Sequence, residues 1–422
     1  MLDIREIEKN PEFFKKNLAK KFIDPQLIDD AVSIYGEKKS AQQNCEKLRA
    51  AQNAASKKIP NLSGAEKEKI LAEMKKISEN LKTAEKNLTE ISEKFNEVFW
   101  QIPNICDESV PAGKDDSENV EIEMVGEIPK FDFAPKQHFE IAENLEILDT
   151  QRGAKVSGSR FYFLRNELAL LQMALMNWAF LEIQKFGFSP TIPPFLVREP
   201  ALFGTGFFPA DKNEIYAVNP GEDDLFLIGT SEVPLTAFHG DEILDEENLP
   251  ALFAGYSPCF RREAGSYGND LKGILRVHQF EKIEMVAICA PEKSWEMHEK
   301  MLAVEKHLLE KLGIPFRVVN ICGGDLGGSA AKKYDLEAWL PGQKKFREMT
   351  STSNCTDFQA RRLRIRIRKK SGEIVLAHTL NGTAVSSRPL IAILENFQNS
   401  NGSVDIPEVL QPFCGFAKIE KN

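Results

Sequence analysis

The most regular pattern in the chain lies in its first hundred residues. From Ile70 the apolar positions run through Met74, Ile77, Leu81, Ala84, Leu88, Ile91, Phe95 and Val98, in alternating steps of four and three. A seven-residue repeat sustained in this way marks a helix packed along one seam against another helix. Upstream, Ala31, Ile34, Ala41, Cys45, Leu48, Ala55 and Ile59 follow the same repeat less purely, because Lys38 and Gln52 also fall on the seam. Between the two runs stand Pro60 and Gly64, neither of which favours continuing a helix. The pattern predicts an antiparallel helical hairpin whose limbs each reach roughly 40 Å at ~1.5 Å per residue. The outer faces carry no second apolar stripe, so the hairpin is expected to project into solvent and to touch a partner there.

Residues 102–120 are rich in Pro, Gly and Asp and read as a linker. Beyond them the period changes. A helix is expected from about Arg165 to Phe186, closed by Gly187, followed by many short β-rich runs: Leu225–Ile228, Ala254–Arg262, Val277–Ile288, Phe316–Asn320, Phe346–Ser351, Arg362–Arg368 and Glu373–Thr379. Few helices intervene, notably Pro291–Leu312 and Val385–Gln398. Strands that follow one another without regular helical crossovers indicate an α+β domain with a mostly antiparallel sheet, not a doubly wound fold. The expected division is an arm over residues 1–105 and a second domain over 106–422.

Composition sharpens this picture. At 422 residues, 42% hydrophobic and 28% charged, the chain has ample material for packed cores. The seven cysteines (Cys45, Cys106, Cys259, Cys289, Cys322, Cys355 and Cys414) lie at least thirty residues apart, so neither a disulfide framework nor a zinc knuckle is expected. The N-terminus is charged and lacks the apolar core of a signal peptide, and Leu168–Ile183 is too short and polar to span a bilayer. A protein of a reducing compartment, away from membranes, is the expectation. The net charge of −9 (54 Lys and Arg against 63 Asp and Glu) argues against a nucleic-acid partner until the charge is located. Residues 31–98 carry 13 basic and 10 acidic side chains, with Lys57, Lys58, Lys67 and Lys69 near the hairpin tip.

Standard nucleotide signatures are missing: there is no GxxxxGK[ST], and Cys322–Gly328 lacks the lysine and spacing of a phosphate loop. The densest chemistry lies between Ser257 and Met285, which reads as a long hairpin. Alternation puts Arg261 and Glu263 on one face of its first strand, and His278, Phe280, Lys282 and Glu284 on one face of its second. Charges this dense on a buried face must meet a ligand or each other. An Arg fork beside a carboxylate suits a phosphate and an amine in one site; a pair of structural ion-pair ladders is the alternative. Thr379–Arg388 reads as a strand turning through Gly382 into an amphipathic helix whose N-terminus and Arg388 suit a polyphosphate. Thr230 and Glu232 share a face at a strand end. Glu348 and Ser351 offer a carboxylate and a hydroxyl suited to hydrated Mg²⁺, but their spacing of three requires a bulge or turn before both can face one ion. Arg362, Arg364, Arg366 and Arg368 alternate with apolar residues, as edge-strand protection or as a phosphate-facing surface.

Taken in order, the arm, TSEVPLT (230–236), FRREAGSYG (260–268), HQFEKIEM (278–285), TSTSNCTDFQARR (350–362) and HTLNGT (378–383) with Arg388 resemble the seryl-tRNA synthetase family of class II aminoacyl-tRNA synthetases over essentially the whole chain. The resemblance implies a homodimer that uses ATP, Mg²⁺ and L-serine to charge tRNA(Ser), and tRNA(Sec) where the cell has one, in the cytoplasm; no zinc is implied. Phe186–Thr205 with Pro194 resembles the motif that builds the dimer interface in this family. Arg261 and Arg388 match the two catalytic arginines, implied to contact the α- and γ-phosphates. The implied ATP site comprises Arg261, Arg262, Glu263, Glu348, Met349, Thr350, Ser351 and Arg388, with Glu348 and Ser351 also at the metal. The implied serine site comprises Thr230, Ser231, Glu232, Glu284 and Thr383, with Glu284 and Thr383 reading the side-chain hydroxyl. The arm is implied to recognise the tRNA's long variable arm by shape and backbone.

Asn269 and Gly229 depart from the residues the family commonly has at those places, arginine and proline, and the run before Arg388 also differs. Two other functions stay in view: activation of an amino acid for a carrier protein, whose enzymes lack the arm, and a non-catalytic coiled-coil paralogue, which would have lost the motif residues.

Overall fold

The structure, a computed structural model, describes residues 1–61, 63–264 and 272–421. The chain divides into two compact units, one of residues 2–105 and one of residues 106–422 together with Met1.

In the first unit, two short helices, α1 (Ile4–Lys9) and α2 (Pro11–Lys20), precede the hairpin of α3 (Gln26–Lys58) and α4 (Gly64–Phe99). At 33 and 36 residues the limbs are longer than the seam alone implies, roughly 50 Å each. Ala31, Ile34, Cys45 and Ala55 of α3 are buried, as are Leu81, Ala84 and Phe95 of α4, so the seam is the one the heptads mark. The polar seam residue Lys38 is accommodated by laying its ammonium 4.8 Å from the centre of the Phe95 ring. Arg49 and Glu85 pair across the hairpin at 2.8 Å. A short 3₁₀ turn, Ile59–Asn61, ends the first limb. The tip lysines Lys57, Lys58, Lys67 and Lys69 are exposed.

The second unit is built on an eight-stranded sheet. In chain order its strands are β1 (Val120–Val125), β2 (Ser189–Thr191), β3 (Ala251–Phe260), β4 (Gln279–Cys289), β5 (Phe316–Asn320), β6 (Lys332–Leu340), β7 (Lys345–Asn354) and β8 (His378–Ser386). Across the sheet they run β1-β5-β6-β7-β8-β4-β3-β2, antiparallel except for the β2–β3 pair. Helix α5 (Asn166–Gln184), helix α6 (Ser294–Lys311) and helix α7 (Arg388–Asn396) contribute Leu171, Leu175, Met301, Leu308 and Leu390–Leu394 to one large core. The α+β class, with a mostly antiparallel sheet, is as expected.

Four local expectations are corrected. Residues 106–120 are not a free linker: Cys106 and Val110 pack with Val319, Ile321, Leu326 and Ala330 into a small core, because the stretch carries apolar side chains between its prolines and aspartates. The strand expected over Arg362–Arg368 begins as a helix, Phe358–Leu363, reverses at Arg364 (φ 57°) and leaves only Arg366–Arg368 extended. Its arginines meet carboxylates, Arg364 with Asp241 at 3.2 Å and Arg368 with Asp245 at 3.5 Å, in place of an open phosphate-facing row. β8 runs on to Ser386 without turning at Gly382, so α7 begins only at Arg388, and its residues 389–395 are all buried. Thr230 and Glu232 lie at the start of a short helix, Glu232–Ala237, not on a strand. Among the described residues no helix is long and apolar enough to cross a membrane.

Candidate active site

The bulge that the spacing of Glu348 and Ser351 requires is present. Thr350 pairs with Leu336 and Glu348 with Glu337, so Met349 is an extra residue in β7. Glu348, Met349 and Ser351 therefore all line one cavity of about 390 Å³. Its walls also include Thr230, Glu232, Arg261, Glu263, Glu284, Thr383 and Arg388. Residues spread over 159 positions of the chain (230 to 388) thus converge on the centre of the sheet.

Arg261 and Glu263 reach the cavity from just beyond β3, which ends at Phe260, and share it as expected; Glu263 adopts a left-handed backbone (φ 50°). The Arg261 guanidinium donates to the Gly229 carbonyl at 3.2 Å and lies 5.3 Å from the Phe280 ring centre. The departure at Gly229 thus leaves a carbonyl that helps orient this arginine. Glu263 accepts from Arg276 at 3.0 Å. Asn269 lies outside the described residues.

Arg388, first residue of α7, donates to the Glu348 carbonyl at 2.8 Å and pairs with its carboxylate at 3.2 Å. Burial pushes the Glu348 carboxyl up, but the charges of Arg388 and Lys333 outweigh it and hold the group at about 2, firmly ionised. On the opposite wall, Thr383 donates to Glu284 at 3.1 Å, and Lys282 forms an ion pair with Glu284. Burial, together with the nearby Glu284 charge, pushes Glu232 up to about 7 despite hydrogen bonding from Gln359.

Three residues implied for the site stand outside the cavity wall. The Ser231 hydroxyl donates to the Gly255 carbonyl at 2.8 Å, and Thr350 donates to Glu305 at 3.0 Å on the far side of β7. Arg262 donates its backbone N–H to Glu214 at 2.9 Å. Sequence reading also missed polar residues that line the cavity, Lys333 and Asn381 among them. Lys333, held 3.0 Å from Asp335, could have been found from its place two residues before an acidic position in a β-rich run. Asn381 was inside the HTLNGT run but carried no charge to draw notice.

A mostly antiparallel sheet with a polar cavity of arginines and carboxylates at its centre is matched by family models. The tRNA synthetase class II core domain (G, H, P, S and T) matches residues 215–397, and the seryl-tRNA synthetase N-terminal domain matches residues 1–106. The chain belongs to the class II aminoacyl-tRNA synthetases. The serine--tRNA ligase of Dictyoglomus turgidum is 44% identical over 423 residues, covering 99% of each chain, and that of Rhodococcus opacus is 45% identical over 98% of this chain and 99% of its own. The crystal structure of seryl-tRNA synthetase from Pyrococcus horikoshii complexed with ATP superposes with a TM-score of 0.91 at 42% identity, over the full length of both. Within its class, the chain is a member of the seryl-tRNA synthetase family.

Proposed function

We propose that this cavity joins L-serine to ATP and passes the seryl group to tRNA(Ser), and to tRNA(Sec) in cells that have it. The observation that carries this reading is the pairing of two arginines, Arg261 and Arg388, with two buried carboxylates, Glu232 and Glu284, in one cavity. The arginines suit a triphosphate; the carboxylates suit an ammonium and a hydroxyl. The serine carboxylate attacks the α-phosphorus, the bond to the bridging oxygen breaks, and pyrophosphate leaves. No protein nucleophile is required, because in-line positioning and stabilisation of spreading negative charge suffice. Arg261 serves the α-phosphate, Glu263 the adenine and Arg388 the γ-phosphate. The terminal hydroxyl of tRNA then attacks the acyl carbon and AMP departs.

Serine is selected by its hydroxyl, held between Glu284 and Thr383, since an alanine would leave these buried polar groups unpaired. Glu348, kept ionised, and the Ser351 hydroxyl are the hard oxygen donors that Mg²⁺ prefers, and both line the cavity, so these residues fit the ion. When bound, Mg²⁺ supplies positive charge to the phosphate oxygens.

Homodimer formation is supported by exposed apolar side chains on α5 and beside β2, where Met173 is 64% and Ile192 70% exposed. The seven free thiols support a reducing, cytoplasmic setting. The arm, residues 1–105, serves tRNA recognition across the dimer, and residues 106–422 serve catalysis. Serine-dependent exchange of pyrophosphate into ATP, followed by acylation of tRNA, is the test. Failure of exchange with serine overturns the reading, and exchange without tRNA charging favours a carrier-protein acceptor.

A further inference from the structure

We infer that Gln359, which lies behind the cavity wall, is a positioning residue that sets how Glu232 presents its carboxylate to the ammonium group of the bound amino acid. This rests on the assignment of Glu232 to that ammonium.

Gln359 is fully buried. Its side-chain amide nitrogen donates to Glu232 Oε1 at 2.8 Å and to the Thr205 carbonyl at 3.0 Å, while its Oε1 accepts from Thr379 Oγ1 at 2.7 Å. Turning the amide over would set its oxygen against a carboxylate and a carbonyl, so its orientation is fixed by its partners. Asn381 Nδ2 donates to the same Glu232 oxygen at 3.0 Å. Two amide donors therefore occupy Oε1, which leaves Oε2 for the cavity that Glu232 lines. The Glu232 backbone N–H is held by Thr230 Oγ1 at 3.1 Å, so the residue is braced at both ends.

The charge around Glu232 is finely set. Burial and Glu284 disfavour its ionised form, while the Gln359 hydrogen bond, Lys282 and Arg261 favour it, and the balance lies at about 7. A neutral carboxyl binds an ammonium group far less well than a carboxylate. Loss of one donor is therefore felt directly in amino-acid binding near neutral pH.

The test uses the full-length enzyme and measures pyrophosphate exchange against serine and against ATP between pH 6 and 9. Gln359→Met keeps length and removes the donors; Gln359→Glu puts a second carboxyl beside Glu232. In both, KM for serine should rise about tenfold or more while KM for ATP stays within about twofold. The acidic limb of kcat/KM for serine should move to higher pH, further in Gln359→Glu because like charges disfavour ionisation. An unchanged serine KM and pH limb overturns the inference; an equal rise in both KM values does so too, since that marks a merely structural role. Gln359→Asn, one methylene shorter, withdraws the donor from Glu232 and carries the same test if either variant fails to fold. Glu232→Gln separates the two levels. If it leaves serine KM unchanged, the serine-site assignment fails; if it raises serine KM and the Gln359 variants do not, only the present inference fails.

Discussion

Glu305 shows how a single side chain outside the cavity bears on it. It sits fully buried on α6, accepts from Thr350 under β7, and has no partner for Oε1 among the described residues. Burial raises its carboxyl well above the usual range, so the folded state keeps the proton that the unfolded chain releases above about pH 4.3. Its contribution to stability is therefore fully present below that pH and declines as pH rises towards the folded value. Glu305→Gln removes this dependence: melting temperatures at pH 5 and pH 8 should show the variant gaining on the wild type as pH rises. A constant difference would show that Glu305 is ionised in the fold. The charged cavity residues Arg261, Glu263, Glu284, Glu348 and Arg388 were legible in the sequence, because charge in an apolar run is conspicuous and the motifs marked it. Gln359 and Asn381 were not, since a neutral amide in a strand or short helix has no signature until its partners, here from residues 205, 232 and 379, are folded around it.

At the level of elements, spacing was a better guide than alternation. The three-residue step between Glu348 and Ser351 demanded an irregular strand, and β7 carries one at Met349. Alternation failed at Arg362–Arg368 because Arg364, with positive φ, reverses the chain and such a conformation leaves no periodic trace in a sequence, whereas Arg261 and Glu263 do face one cavity as alternation implied. Gly382 was mistaken for a turn for a related reason: glycine can signal close approach as well as reversal. A Cβ there would lie 2.7 Å from Glu305 Oε1 and 2.8 Å from Thr352 Oγ1, both held in hydrogen bonds or in the core. Gly382→Ala should thus cost about 1–3 kcal/mol, read as a lower midpoint in denaturant with an unchanged slope. An unaltered midpoint would mean that the space between β8 and α6 is looser than these distances imply.

Across the whole molecule, charge and sequence order separate the two units. Residues 1–105 hold 19 basic and 17 acidic side chains and residues 106–422 hold 35 and 46, so the negative balance belongs to the second unit, and net charge alone misjudged the affinity for nucleic acid. Removing residues 31–98 should leave serine-dependent pyrophosphate exchange intact and abolish tRNA charging; normal charging by that deletion would show that the hairpin has no part in tRNA recognition. The hairpin pairs neighbouring stretches of chain, whereas the sheet also needs two long-range pairings, β1 with β5 and β8 with β4. Its strand order places β8, the last of the eight to be made, between β7 and β4. Until residues 378–386 have left the ribosome, the sheet can exist only as two separate halves, each with an open edge where the other should join. Such edges invite pairing with the wrong chain. The arm can be complete while the catalytic unit is still in two pieces, and a chain cut short before His378 would be a nearly full-length polypeptide with no finished sheet at all.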